Sequence, residues 1–314
     1  LDDTWYHASP SSKNYDMDRF ERYVRFKPDM KIEYVYYYGP GTSSHYDKVY
    51  KGLGPKERML KVCEGYDYNP DMFISAEEVQ KVEDISAENG RIVRVFKREN
   101  GQKAYLRIYN DMYVHPFESE ITAALKTLVD KSPLIAFVTG HGERACDDFG
   151  DRGYAAFAKN PTFRNALINQ GFRVQDLTLE QPVPDNVDVL VISDMKVPFT
   201  PEEFVNYSSF VDKGGNLIIL GEVKRQKNMN PIVEKLGLHF ADGILVAPSK
   251  QYLDDVIAAR ITEGALKASP YFAQLIQRGY TVITPSACAI EIIDSTKGFE
   301  ISEVLATNSQ GSWI

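Results

Sequence analysis

The sequence predicts an α/β protein of two domains: residues 1–131 as an N-terminal, thioredoxin-like α/β layer and residues 132–314 as a doubly wound, mostly parallel sheet. Three observations predict it. The chain has 314 residues, more than the roughly 250 at which a single core stops growing. Asn100-Gly101 separates two alternating β-rich runs in "RIVRVFKRENGQKAYLRIYND", the strongest short-range signature of a hairpin. Beyond Lys131-Ser132-Pro133 near-continuous apolar strands alternate with helices, the pattern of a parallel sheet covered on both faces.

In the first domain residues 18–26 read as a short amphipathic helix stopped by Pro28, and "MKIEYVYYYGPG" as a β-rich run ending in a Gly-Pro-Gly turn. Tyr34, Tyr36, Tyr37 and Tyr38 suit strand packing, although exposed aromatics beside acids also stack on sugar rings. A Lys-rich, helix-compatible stretch runs from Tyr50 to Cys63, before a loop at Asn69-Pro70. Asn89-Gly90 suggests a further turn, with residues 82–85 as a third strand ahead of the hairpin. Ile121, Ala124, Leu125 and Leu128 share one face of a helix over residues 118–129. The order α-β-(α)-β-β-α is thioredoxin-like, but no C-x-x-C is present to make it a redox enzyme. The layer reads as scaffold.

In the second domain residues 134–139 form a continuous apolar strand, 163–169 a helix ending at Gly171, 172–177 a strand and 187–193 ("VDVLVIS") a buried strand. Thr200-Pro201-Glu202-Glu203 combines an N-cap Thr, Pro at the first helical position and Glu three residues after the cap. That helix stops at Gly214-Gly215, before the strand "NLIIL". Further on, residues 230–236 and 266–277 read as helical, and 244–246, "YTVIT", "SACAIEII" and "ISEVLATNS" as β segments. No closing helix follows, so a truncated C-terminus is an expectation here.

Composition excludes several functions. Lys plus Arg number 36 against 44 acidic residues, a net charge of −8, and residues 1–132 carry 20 basic against 22 acidic side chains. A chain with neither half basic is a poor partner for nucleic acid or an anionic lipid surface. No apolar run approaches the roughly 20 residues that span a bilayer. The chain opens on Leu1 and shows no signal peptide, so it is expected to be an excised soluble region whose flanking membrane segments are absent. Cys63, Cys146 and Cys288 are odd in number and widely spaced, which favours packed thiols over a metal or redox cluster.

The chemistry-bearing stretch is "PLIAFVTGHGERACDDFGDRG". Gly140-x-Gly142-x-x-Ala145 after a strand matches a relaxed dinucleotide fingerprint, yet Asp147, Asp148, Gly150, Asp151 and Gly153 keep the chain turn-like and would repel a pyrophosphate. No G-x-x-x-x-G-K-[ST] or G-x-S-x-G occurs, so neither a P-loop nor a hydrolase elbow is present. Cys288 lies among small residues without a neighbouring base in sequence. What remains is His141 and Glu143, with Asp148, joined by Asp194 and Glu222 at the carboxyl ends of successive strands, the rim where open α/β sheets bind ligands.

In order, "HPFESEITAALKTLVDKSPLIAFVTGHGE", "FRNALINQGFRVQDLTL", "VDVLVISD", "TPEEFVNYSSFVDKGGNLIIL" and "NMNPIVEKLGLHFADGILV" resemble the auxiliary component of gliding-motility-type ABC transport systems, the GldG-like family. Most of the chain is covered, to "ATNSQGSW". The resemblance implies a membrane-anchored subunit on the extracytoplasmic (periplasmic) face of the inner membrane, beside an ABC permease and a separate ATPase, in a homo- or hetero-oligomer. It implies no catalytic residue, cofactor or metal.

On this reading GHGE ends the first strand of a flavodoxin- or glutamine-amidotransferase-like sheet. Gly140 and Gly142 permit a sharp turn, at least one with positive φ, and His141 and Glu143 order the loop. Gly140, His141, Gly142, Glu143, Asp194 and Glu222 are the candidate ligand or loop-ordering residues. The function expected is a non-enzymatic binding or scaffolding subunit. A hydrolase or amidotransferase-like enzyme using the same rim is the alternative, and a glycan-binding module the weaker one. A glycine-to-Val change in the turn is expected to destabilise more than His141→Ala.

Overall fold

The computed structural model describes residues 7–39, 44–88, 91–294, 298–307 and 311–314. Parts of the Gly-Pro-Gly turn (Pro40, Gly41), the Asn89-Gly90 turn and residues 308–309 of the last β segment lie outside the described residues. The chain forms two compact units: one of the residues up to Lys131 with Pro161–Arg164, the other of Ser132–Asn160 with Asn165–Ile314. Both are mixtures of helix and strand, so the fold class is α/β.

The first unit opens on helix α1 (Pro10–Phe26). Ser9 Oγ accepts from Ser12 N at 3.2 Å and Pro10 occupies the first turn, the usual chemistry of a helix start. The apolar periodicity is weak before Asp18, so hydrophobicity alone reads the helix eight residues too short; the Ser-Pro pair marks its beginning. Strand β1 (Tyr36–Tyr38) pairs in parallel with β2 (Phe73–Ser75). Between them lie α2 (Ser44–Val49) and α3 (Pro55–Tyr66). Strands β3 (Val93–Lys97) and β4 (Lys103–Arg107) form the expected antiparallel hairpin, with Gly101 at φ +86°. The four strands make two separate ladders, β1-β2 and β3-β4.

Residues 82–85 are not a strand. Ser75 and Glu78 make a capping box that starts α4 (Ala76–Val82), and a 3₁₀ turn (Ser86–Glu88) follows. The capped helix buries Val79, and Glu83 then turns to meet Lys103 and Tyr105 at 2.9 and 2.8 Å. Helix α5 (Glu118–Thr127) packs Ile121 and Ala124 against Phe20, Ala104 and Leu106. Arg164 completes this unit: its Nη1 lies 2.7 Å from Glu120 Oε2 and its Nε 2.7 Å from Asp111 Oδ2.

In the second unit β5 (Leu134–Val138), β6 (Arg173–Leu177), β7 (Val189–Ser193) and β8 (Asn216–Leu220) form one parallel sheet in the order β6-β5-β7-β8. Renumbered within the sheet this is 2-1-3-4, the order of flavodoxin-like folds. All five residues of β5 are buried, each large side chain stabilising by about 1.5–3 kcal/mol. Alternation sends Leu134, Ala136 and Val138 to one core with Tyr207 and Met229, and Ile135 and Phe137 to another with Cys146 and Ala158.

Helix α6 (Pro201–Asp212) begins at Thr200 with the expected capping box. The helix expected over 163–169 is absent: Pro161–Arg164 joins the first unit, and only a 3₁₀ turn (Leu167–Asn169) precedes Gly171, whose φ is +87°. Helix α7 (Gln226–Glu234) starts before the residues that mark it in sequence and carries Pro231 inside. Residues 244–246 form no strand; Val246 makes a single bridge to Trp313. Antiparallel ladders β9 (Leu238–Phe240) with β12 (Ile290–Ile292), and β10 (Val256–Ile261) between β11 (Thr281–Pro285) and β13 (Leu305–Ala306), complete the unit. Helices α8 (Ala265–Ala268) and α9 (Phe272–Gln277) divide the stretch read as one helical segment.

Candidate functional site

The turn after β5 requires its glycines. Gly140 has φ +117° and Gly142 φ +73°; the second lies beside the left-handed region, which costs other L-residues about 1–2 kcal/mol, and the first lies beyond it, where L-residues are rarer still. They differ in surroundings. A Cβ on Gly140 would meet nothing within 4 Å, whereas one on Gly142 would lie 3.1 Å from Lys196 Cδ.

Between them His141 is turned inward, with only 6% of its side chain exposed. Its Nδ1 lies 2.9 Å from Glu143 Oε1 and its Nε2 3.0 Å from Glu203 Oε2. The backbone closes the same loop: His141 N donates to Glu143 Oε2 at 2.6 Å, and His141 O accepts from Lys196 N and Val197 N at 2.9 and 3.1 Å. Phe199 packs edge-on against the imidazole, centroids 4.9 Å apart.

Burial pushes the His141 imidazole down, but hydrogen bonds and charge from Glu203 and Glu143 outweigh it and raise its pKa. Glu203 is opposed by burial too, and its bonds from Thr200 N and His141 hold its carboxyl below the usual carboxylate range. The dipole of α6 acts in the same direction on this first-turn carboxylate. The two carboxylates thus favour the protonated imidazole, and both ring nitrogens are occupied.

A second cluster lies on the same carboxyl-end rim. Asp194 follows β7, is 3% exposed and adopts φ +50°. Its Oδ2 accepts from Tyr154 OH at 2.6 Å and lies 2.9 Å from Arg144 Nε. Arg144 Nη2 reaches Glu222 Oε1 at 2.7 Å. Burial raises the Asp194 carboxyl, Tyr154 and Arg144 offsetting part of the rise, and the Tyr154 hydroxyl is raised by burial and by Asp194.

The six candidate residues therefore divide. Gly140, His141, Gly142 and Glu143 make one cluster with Glu203, while Asp194 and Glu222 make another through Arg144. Asp148 joins neither; its Oδ1 accepts from Gly150 N at 2.8 Å inside its own turn. Arg144, Tyr154 and the reach of Glu203 were missed from sequence. Glu203 carried a signal, as the capping glutamate, but only for its local role.

The cysteines are free. Cys146 Sγ donates to Asp176 Oδ1 at 3.0 Å, and burial pushes its thiol up to about 11; burial also raises the Cys63 and Cys288 thiols. Tyr36 and Tyr38 pack against Met59, Val62 and Phe73, and Tyr34 OH donates to Asp16 at 3.2 Å. Among the described residues no group of three or more His, Cys, Asp or Glu is placed to hold a metal ion, and no helix is long and apolar enough to cross a membrane.

The segment carrying both clusters, residues 132–253, matches the family model of an ABC-type uncharacterized transport system. This segment is similar to ABC-transport auxiliary proteins. The auxiliary-family match begins just before β5 and thus contains the GHGE loop, Asp194, Glu203 and Glu222. No curated protein matches the chain. Among solved structures, the N-terminal domain of mmIFT52 is similar at 16% identity and a TM-score of 0.41, over 57% of this chain and 75% of that one. Exo-β-1,4-mannosidase Op5Man5 from Opitutaceae bacterium strain TAV5 is similar at 13% identity and a TM-score of 0.27, over 56% and 33%. Both are partial likenesses.

Proposed function

We propose that the protein is a non-enzymatic auxiliary subunit of a gliding-motility-type ABC transport system, acting by binding or scaffolding on the extracytoplasmic side of the inner membrane. The observation that carries this reading is the occupancy of His141. A general base needs one free ring nitrogen within reach of a nucleophile or water. Here Nδ1 is engaged by Glu143 and Nε2 by Glu203, and both carboxylates also accept backbone bonds. The motif thereby fixes the geometry of the β5 turn and ties it to the start of α6. The auxiliary-family match over the same residues supports transport as the setting.

Affinity purification of the full-length protein from detergent-solubilised membranes of its host tests the reading. A multi-span permease and an ATPase are expected to co-purify in stoichiometric amounts. Their absence, or an ester or amide hydrolysis activity lost in His141→Ala, would instead support the hydrolase or amidotransferase-like reading. Protease accessibility in intact spheroplasts tests the periplasmic location.

A further inference from the structure

Strand β10 lies between β11 and β13, so β11 is an edge of its layer. The hydrogen bonds decide which of its backbone groups face out. Thr262 N donates to Val304 O, and Ser286 N to Asp255 O, so even-numbered residues of β10 face β13 and odd-numbered ones face β11. Ile257 and Ala259 stand opposite Thr284 and Val282, which are therefore the residues of β11 bonded inward. The N–H and C=O groups of Thr281 and Ile283 point outward, and among the described residues they meet no partner.

Nothing protects this edge. Thr281, Val282 and Ile283 are exposed, and Thr281–Pro285 carries no charged side chain; edges without such protection pair with further strands. Pro285 lacks an N–H, but it stands at the last position and leaves the donors of Thr281 and Ile283 intact. β10 buries Ile257, Ala259 and Ile261 and exposes Ala258 and Arg260; α9 packs on β10 and so covers the first of these faces. Val282, opposite Ala259, belongs to the covered face. It is nevertheless 39% exposed, because the layer stops at β11.

Charge selects what can continue the layer, since the two ends of the edge are opposite in sign. Exposed Arg278 precedes β11 at the end of α9. Beyond the other end, Asp255 Oδ2 accepts from Ser286 Oγ at 2.7 Å. Neither Arg278 nor Asp255 is in an ion pair. An antiparallel copy of the same edge brings each end to its opposite. A two-fold axis through Val282 sets Thr281 of each copy against Ile283 of the other, and these are the residues with outward groups. Both residues of such a pair exchange N–H···O bonds, so neither donor is left over. Val282 meets its own copy in the closer, non-hydrogen-bonded position, and no charge faces itself across the axis.

We propose that β11 is the contact of a homodimer, in which two copies of this chain join edge to edge, antiparallel about Val282, with Arg278 of each copy facing Asp255 of the other. The two three-stranded layers then run on as one. A five-residue edge about 17 Å long, in a layer about 10 Å thick, offers far less than the roughly 800 Å² per partner of a stable complex. The dimer is therefore weak and concentration-dependent. It is independent of the rim clusters and of the transport reading.

Sedimentation equilibrium of the 314-residue chain from about 10 µM to about 1 mM is expected to show the mass rising toward that of a dimer. Ile283→Pro removes one outward donor per copy and no bond to β10, and should weaken association at least about tenfold. Arg278→Glu and Asp255→Lys should each weaken it by about three to ten times. An equimolar mixture of those two variants should recover the loss, because both contacts of the mixed dimer again join opposite charges. Hydrogen exchange on the unsubstituted chain needs no variant to fold: the Thr281 and Ile283 amides should become protected as concentration rises, and those of Val282 and Thr284 should be protected throughout. A chain that stays monomeric up to about 1 mM would overturn the proposal. So would a dimer indifferent to Ile283→Pro, a mixture that associates no better than its components, or Thr281 and Ile283 amides that exchange freely within the dimer.

Discussion

His141 Nε2 and Glu203 Oε2 lie 3.0 Å apart, joining residues 62 positions apart in sequence. The same Glu203 oxygen accepts from Thr200 N and Thr200 Oγ1, both at 2.8 Å. One carboxylate thus caps α6 and holds the GHGE loop. Glu203→Gln keeps a capping side chain but removes the charge. Its expected cost is about 1–2 kcal/mol, because Glu143 still faces the imidazole. Urea denaturation measures the loss, and NMR titration should find the His141 pKa lowered from its wild-type position.

The ionic cluster gives stability a defined pH dependence. His141 is raised above 6.5 in the folded state, so its contribution is full below 6.5 and is lost as pH rises through the raised value. Glu203 is lowered below 4.5, so its contribution is present above 4.5 and is lost as pH falls through the lowered value. The stability difference between wild type and His141→Gln should therefore be largest between these reference values and shrink on the alkaline side. A difference that grew steadily from neutral to alkaline pH would contradict a charged His141.

Both glycines of the turn have positive φ, as the turn chemistry requires, and with the smaller substitution to Ala their cost is set against the burial of His141. His141→Ala leaves Glu143 and Glu203 facing each other without their shared cation, a loss of about 3–5 kcal/mol. Gly142→Ala is expected to cost about 1–2 kcal/mol from φ, with a further increment from Lys196. Gly140→Ala meets no neighbour but has a φ beyond the left-handed well, so its cost should be at least as large. Thermal unfolding of the three variants is expected to rank His141→Ala first and both glycine variants below it.

At Asp194 backbone and side chain can be separated. Its φ of +50° suits Asn better than other non-glycine residues. Asp194→Asn keeps an oxygen for Tyr154 and Arg144, whereas Asp194→Leu loses both and is strained. The Leu variant should be the less stable by at least about 2 kcal/mol, measured by denaturant titration.

Gly153 tests the loop itself. A Cβ there would fall 1.9 Å from Asp148 O, and that carbonyl already accepts from Ala155 N at 3.1 Å. Gly153→Ala should disrupt the loop at a cost of about 1–3 kcal/mol, seen as rapid proteolysis between Cys146 and Tyr154.

What could be read from sequence was what is local. The buried strand at 134–138, the Asn-Gly hairpin and the Thr200 capping box depend on neighbouring residues, and each forms where its chemistry indicates. The Ser9-Pro10 helix start and the Ser75-Glu78 capping box were equally local, but weak or misleading hydrophobic patterns obscured them. Partnerships across the fold were not legible: nothing adjacent to Glu203 specifies His141, and nothing near Arg144 specifies Asp194. Residues 163–169 failed for a related reason. Their apolar spacing suits a helix, but Arg164 is committed to Asp111 and Glu120.

That commitment bears on the order in which the protein can be finished during synthesis. Glu120 is 3% exposed, and its cation, Arg164, is encoded beyond the whole of β5 and the GHGE loop. As the nascent chain emerges, the first unit cannot neutralise this buried carboxylate until much of the following crossover has also left the ribosome. Translation therefore delivers the early strands and helices before the residue that completes their ion pair, and final consolidation of the first unit waits on its downstream neighbour.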